Sequence, residues 1–428
     1  MKKLNKYIIK LGTAISSAAI VASSFISPAL ALDIVVSGNG GDSNVDINSS
    51  SNTDVNQTND ADVENNVNVS ASTGGNEANL NTGGDTSIET GNATANATVN
   101  TTANANWAEV SGCCPGDVNV TVKDNGVTSD NDIDIDLENR VDVDQDNDAD
   151  VDNDVDVEAK TGGNEAKLNT GGVTKIETGD ADASASVDNN VNFNGAIVGG
   201  QGGGSSTLSV LVEGNGGDSN LDLNISSNVD VDQDNDADVS NDVDVDAKTG
   251  WNEAKLNTGG ETVIKTGDAD ASADVSNVAN FNWADLDACG CPIGEDSSVT
   301  VKDNGVTSDN DIDIDLRARL DADQDNDFDC GDKRHGYHDF LDILSGGYDG
   351  DDCNDVDVEA KTGGNEANLN TSGDDPMVET GDASSSADVE NNVNANVLNG
   401  AMPDLGDLED LFGDSAGSLL VILLALVS

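Results

Sequence analysis

Basic residues are scarce in this chain: 18 Lys and Arg stand against 83 Asp and Glu, giving a net charge of −65 over 428 residues. That imbalance excludes nucleic acid as a partner, because binding phosphate requires charge of the opposite sign. Anionic lipid is excluded on the same ground, and cations, metal ions above all, are the natural counter-species. Histidine is nearly absent. His335 and His338 are the only two, and no Ser/His/Asp or zinc motif is present. Aromatic residues make up 3% of the chain, and so few rings with so much charge would ordinarily imply disorder. Glycine is missing from the longest patterned segments, which removes the turns that hairpins need.

What the chain does contain is one unit repeated four times. The block TGGNEA(N/K)LNTGG and its close variants begins at Thr73, Thr161, Thr249 and Thr362, at steps of 88, 88 and 113 residues. A fixed period marks a modular array, and an array multiplies a surface rather than building one catalytic pocket. The copies pair up. GNGGDSN at Gly38 returns at Gly214, and VKDNGVTSDNDIDIDL at Val122 returns at Val301. The units are read as residues 1–31, a leader; 32–116, 117–204, 205–295 and 296–400, the four repeats; and 401–428, a tail. The leader shows an export pattern: Lys2, Lys3, Lys6 and Lys10, an apolar stretch from Leu11 to Ile26, then Ala29-Leu30-Ala31. Removing those four lysines takes the remainder to −69.

Within each unit, polarity alternates. From Ile133 to Thr161 odd positions are apolar or amide-bearing, and even positions from Asp134 to Glu158 are acidic apart from Arg140. The same parity runs from Val45 to Thr73 and from Leu221 to Thr249, and in the fourth unit from Ile312 to Cys330 and again from Asn354. Period two is the mark of a half-buried strand, and a disordered acidic tail has no reason to keep it. A strand of that length would span about 96 Å, whereas strands seldom exceed about ten residues. The segment is therefore expected to fold back on itself, with corners at the inward Asn139, Gln145, Asn147 and Asn153. A second alternating run goes from Ala181 to Phe193. These patterns predict an all-β fold, a β-solenoid-like array of four repeats of about 88 residues, with tandem β-sandwich domains as the alternative.

Six cysteines in an exported chain favour disulfides. Cys330 and Cys353 bracket 22 residues, 331–352, that the second unit lacks, so a bond between them would pin the base of an inserted loop. The loop carries His335, Tyr337, His338 and Asp339, read as contacts to a partner or as decoration, with a transition-metal site at His335, His338 and Asp339 as the alternative. Cys113, Cys114, Cys289 and Cys291 sit at equivalent junctions, and their pairing is left open.

The outward aspartates are the candidate binding site. Asp142, Asp144, Asp146, Asp148, Asp150 and Asp152 in the second unit, with Asp230, Asp232, Asp234, Asp236 and Asp238 in the third, are expected to take calcium, which prefers several carboxylate and carbonyl oxygens. The competing reading is a solvated face that merely resists aggregation. The row lacks the sixth-position glycine of EF-hand loops. Thr174-Ile176-Thr178, repeated as Thr86-Ile88-Thr90 and Thr262-Ile264-Thr266, offers a small outward threonine ladder of the ice-binding kind. Trp107 and Trp283 are read as junction packing, with a sugar-stacking platform as the alternative.

The Asn/Asp alternation, the TGGNEAKLNTGG block and the TGDADASA run resemble exported repeat proteins on the surface of small-genome candidate-phylum bacteria. The recurrence of Gln57, Gln145, Gln233 and Gln324 is similar to curlin repeats, where inward amides ladder along a β-solenoid. The resemblance implies surface location and little chemistry. The expected function is non-catalytic: an exported surface or matrix protein acting in adhesion or as a structural element. Its expected partners are divalent cations and a surface glycan or another cell-surface protein, with a glycan-binding module or a self-assembling fibre as alternatives. Pro403 to Phe412 predicts a short amphipathic helix. Leu419 to Val427, at nine apolar residues, is about half a bilayer span and suits membrane or envelope attachment.

Overall fold

The computed structural model describes residues 8–17, 20–26, 32–111, 117–199, 207–286, 297–306, 308–330, 353–372 and 375–398. The junction cysteines, the loop with His335, Tyr337, His338 and Asp339, the cleavage site and the tail lie outside the described residues. Every regular element described is a β-strand, and every pairing is parallel.

Each repeat lays down one rung. In the second, a short strand Val118–Lys123 leads into a long strand Asn131–Gly162. Two brief strands follow, Glu165–Lys167 and Thr174–Glu177, and then a return strand Ala181–Gly199. The next short strand, Leu208–Glu213, begins beside the first, and the cycle repeats. Gln57, Gln145, Gln233 and Gln324 are thereby stacked in register. An 88-residue period becomes a step of one strand spacing, about 4.8 Å.

The core lies between the long sheet and the two sheets that cover its inner face. At one end Ile133, Ile135 and Leu137 pack on Val118, Val120 and Val122. Along the rest, Val155, Val157 and Ala159 pack on Ala181, Ala183 and Ala185 of the return strand. Most of these side chains are small. A fully buried valine contributes about 1.5 kcal/mol or more, so stability comes from many modest contacts repeated in every rung.

The alternating segment does not turn. Asn131–Gly162 is a single strand of 32 residues, about 105 Å long at 3.3 Å per residue. The corners expected at Asn139, Gln145, Asn147 and Asn153 are absent, and all four side chains are buried in mid-strand. The reason is the ladder. Asn147 Nδ2 donates to Asn235 Oδ1 at 2.9 Å, and Asn59 Nδ2 donates to Asn147 Oδ1 at 2.9 Å. Gln145 Nε2 donates to Gln57 Oε1 at 2.7 Å. A buried amide that finds its copy one rung away needs no bend to satisfy it.

Two further features frame the ends. Strands Ile8–Ser17 and Ile20–Ile26 pair with the return strand Ala93–Ser111 of the first rung. In the fourth rung the long strand stops at Asp329 and resumes at Asn354, still in register with the third. Cys330 and Cys353 are disulfide-bonded across that break, with Cα atoms 4.5 Å apart.

Candidate functional site

Strand parity and rung register together set the outward acids in two dimensions. Along one strand, alternate residues share a face, about 7 Å apart. Across rungs, Asp142 pairs with Asp230, Asp144 with Asp232, Asp146 with Asp234, Asp148 with Asp236 and Asp150 with Asp238. The fourth rung continues these rows with Asp321, Asp323, Asp325, Asp327 and Asp329. Asp152 faces Ser240, so its row is interrupted. The predicted acids thus lie together on one side of the long sheet, exposed or half-buried.

The first rung differs. It places Asn56, Thr58, Asn66 and Asn68 where the second has Asp144, Asp146, Asp154 and Asp156. Asn56, Asn66 and Asn68 each donate through Nδ2 to the facing carboxylate, at 3.3, 3.2 and 3.0 Å. Cations are few on the acidic stretch. Arg140 lies 2.7 Å from Asp142 and Arg319 2.6 Å from Asp321.

Partial burial and this crowding together raise the carboxyl pKa values along the face. Partial burial, then Asp146, Asp325, Asp232 and Asp236 around it, push the Asp234 carboxyl above its ordinary value of 3.8. Asp236 and Asp238 are raised in the same way, burial first and neighbouring aspartates after it, as is Asp232. A raised folded value means that protonation favours the fold. The stabilisation is complete below pH 3.8 and is lost as pH rises through the raised value. Melting temperature is therefore expected to rise on acidification from pH 7 toward about pH 4, the reverse of ordinary acid denaturation. A melting curve that falls steadily over that interval would contradict this account of the face.

The arrangement is a lattice and not a cage. Among the described residues, no three His, Cys, Asp or Glu side chains converge to hold a metal ion. The flat strand keeps its carboxylates parallel, whereas a calcium loop curls its oxygens inward. What the lattice does offer is pairing: the rung spacing of about 4.8 Å is about twice a Ca–O distance of 2.4 Å. A divalent ion placed between two rungs would meet one carboxylate from each.

The threonine ladder points inward. Thr86, Thr174 and Thr262 are buried and stack in register, as do Ile88, Ile176 and Ile264, so they present no outward plane. Trp107 and Trp283 are also core residues, 5% and 3% exposed. Their rings stack at 5.6 Å, two rungs apart on either side of Gly195. A Cβ on Gly195 would lie 2.5 Å from the Trp107 ring. These indoles offer no face to a sugar.

The exposed rings and side chains lie elsewhere. Trp251 is 49% exposed at φ +50°, where the sister rungs carry Gly75, Gly163 and Gly364. Leu80, Leu168, Leu256 and Leu369 form an exposed row, each at φ between 54° and 62°. Substitution of tryptophan into the TGG block was the available sign for the first. Apolar leucine gave none for the second, because hydrophobicity alone points inward. No protein-family model, curated protein or solved structure matches the chain.

Proposed function

We propose that the chain is a non-catalytic structural element of the cell exterior, an exported repeat scaffold whose acidic face takes up divalent cations, calcium first. One observation carries this reading: in-register rungs bring like carboxylates face to face, row after row. In water two such charges about 5 Å apart repel by about 0.8 kcal/mol. A single pair is trivial, but each interior row repeats the cost at every rung junction. A cation placed between the rungs removes the repulsion and ties one rung to the next.

The Cys330–Cys353 bond supports an oxidising compartment, in keeping with the leader. Adhesion would use the same rigid face, presented to a surface glycan or a second surface protein through bridging ions.

Calcium at millimolar concentration is expected to raise the melting temperature, and sodium at equal ionic strength to raise it less. Differential scanning calorimetry reads both. Equal shifts from the two salts would reduce the face to simple screening and remove calcium from the reading.

A further inference from the structure

The asparagine ladders have direction, and each ends at the first and at the fourth rung. In the asparagine ladders each rung donates to the next: Asn76 to Asn164, Asn164 to Asn252, Asn252 to Asn365, at 3.1, 2.9 and 3.0 Å. Asn104 donates to Asn192, Asn192 to Asn280 and Asn280 to Asn394 in the same sense. At the first rung the acceptors Asn59 Oδ1 and Asn104 Oδ1 are buried without a partner. At the fourth, the donor Asn365 Nδ2 is buried without one. Orphaned buried amide groups are costly, and in these ladders the two ends are complementary: Asn59 and Asn104 offer acceptors at one, Asn365 a donor at the other.

The fourth rung is also apolar where it should be covered. Val389 is 43% exposed, while its partner one rung inward, Val275, is fully buried. Val299, Val301, Leu320 and Val393 are likewise exposed at positions whose third-rung partners are buried.

From these observations we propose that copies of the chain stack end to end. The fourth rung of one copy seats in register on the first rung of the next. Asn326, Asn365 and Asn394 then face Asn59, Asn76 and Asn104 of the second copy and continue the donor sequence. The contact extends the interface that already joins each rung to its neighbour within the chain.

The charge pattern favours this occupant. Continuing the register sets Asp323, Asp325, Asp355 and Asp357 against Asn56, Thr58, Asn66 and Asn68, the neutral positions of the first rung. Three of those four already bond a carboxylate on their other side. The chain's own tail is too small to serve instead. Its apolar run, Leu419 to Val427, has nine residues, against strands of 20 and 16 residues on the open edge. Strands Ile8–Ser17 and Ile20–Ile26 occupy the first-rung edge of the return sheet, so stacking there requires their removal. That single step rests on the export reading; the edge itself does not.

The test uses the chain from Leu32, in which all four rungs keep their mutual pairing. At about 0.5 M salt, where surface charge is screened to within a few ångströms, it is expected to form filaments. Each copy adds about 19 Å, and fibre diffraction shows an axial spacing of about 4.8 Å. Val393→Lys, at an exposed position in the single copy, is expected to leave the melting curve unchanged. It should cut filament growth by about a hundredfold or more, because stacking would bury an unpaired ammonium. Two results would overturn the proposal. One is filaments that grow equally well with Val393→Lys. The other is a wild-type chain that stays single; if Leu423→Asp then releases assembly, the edge belongs to the tail.

Discussion

Gly162→Ala is expected to lower stability by about 4 kcal/mol or more, at the upper limit of single-residue effects. Gly162 closes the long strand of the second rung at φ +105°, a conformation L side chains rarely adopt. A Cβ there would lie 2.0 Å from the carbonyl oxygen of Gly250 in the next rung. Gly74 and Gly250 are held the same way, with the corresponding clash at 1.9 and 1.8 Å. The added methyl therefore points along the stacking axis, into backbone that cannot retreat without parting two rungs. Gly363 separates the two contributions. Its φ is +111°, yet no atom lies within 4 Å of its would-be Cβ, because among the described residues no rung packs on its outer side. Gly363→Ala should cost only the backbone strain, about 1–3 kcal/mol. Urea denaturation of both variants measures the difference. Equal losses would mean that close rung contact at this corner contributes nothing.

The same corner shows how far the sequence could be read. Alternation from Ile133 to Thr161 reveals which residues face inward, and the 88-residue step reveals which residues are equivalent. The fold class follows from those two facts. Strand length does not, because the usual limit of about ten residues describes strands in sheets that twist and end. Here each long strand between Asn131 and Gly162 is held along its whole length by copies of itself on both sides. Asn147 looked like a corner for a related reason. Asparagine favours bends when its amide must find local backbone partners, and in this stack its partner is 88 residues away. The aspartate rows were legible as a face, and their face-to-face pairing required the register. The inward aim of Thr174 was not legible, since a threonine row suits either side of a sheet. The pairing of Ile8–Ser17 with Ala93 onward belongs to neither period, and the repeat pattern gave no sign of it.

Asn147→Ala is expected to destabilise the chain by about 3 kcal/mol, while Asn56→Ala leaves it within about 0.5 kcal/mol of wild type. The two residues share a strand type and a side chain; what differs is burial. Asn147 is fully buried and donates to Asn235 Oδ1 at 2.9 Å and Asn194 Oδ1 at 2.7 Å. It accepts from Asn59 and Asn106, both at 2.9 Å. It also donates to the Phe193 carbonyl at 3.2 Å, so removing it weakens five partners and opens a void. Asn56, by contrast, makes one exposed bond of 3.3 Å to Asp144. Asn147→Asp should be worse than alanine at pH 7, since a carboxylate oxygen replaces a donor that faces three acceptors. Its deficit should shrink at acid pH, where the protonated form can donate again; alanine has no such response. Losses for Asn147→Ala no larger than for Asn56→Ala would strip the ladders of any energetic role. The ladders also fix register in a core built from small, interchangeable side chains. A slip of one residue would turn every carboxylate inward. A slip of two keeps the faces but sets Asn147 against Gln233 in one direction and Ala237 in the other, instead of Asn235, breaking the asparagine sequence at once.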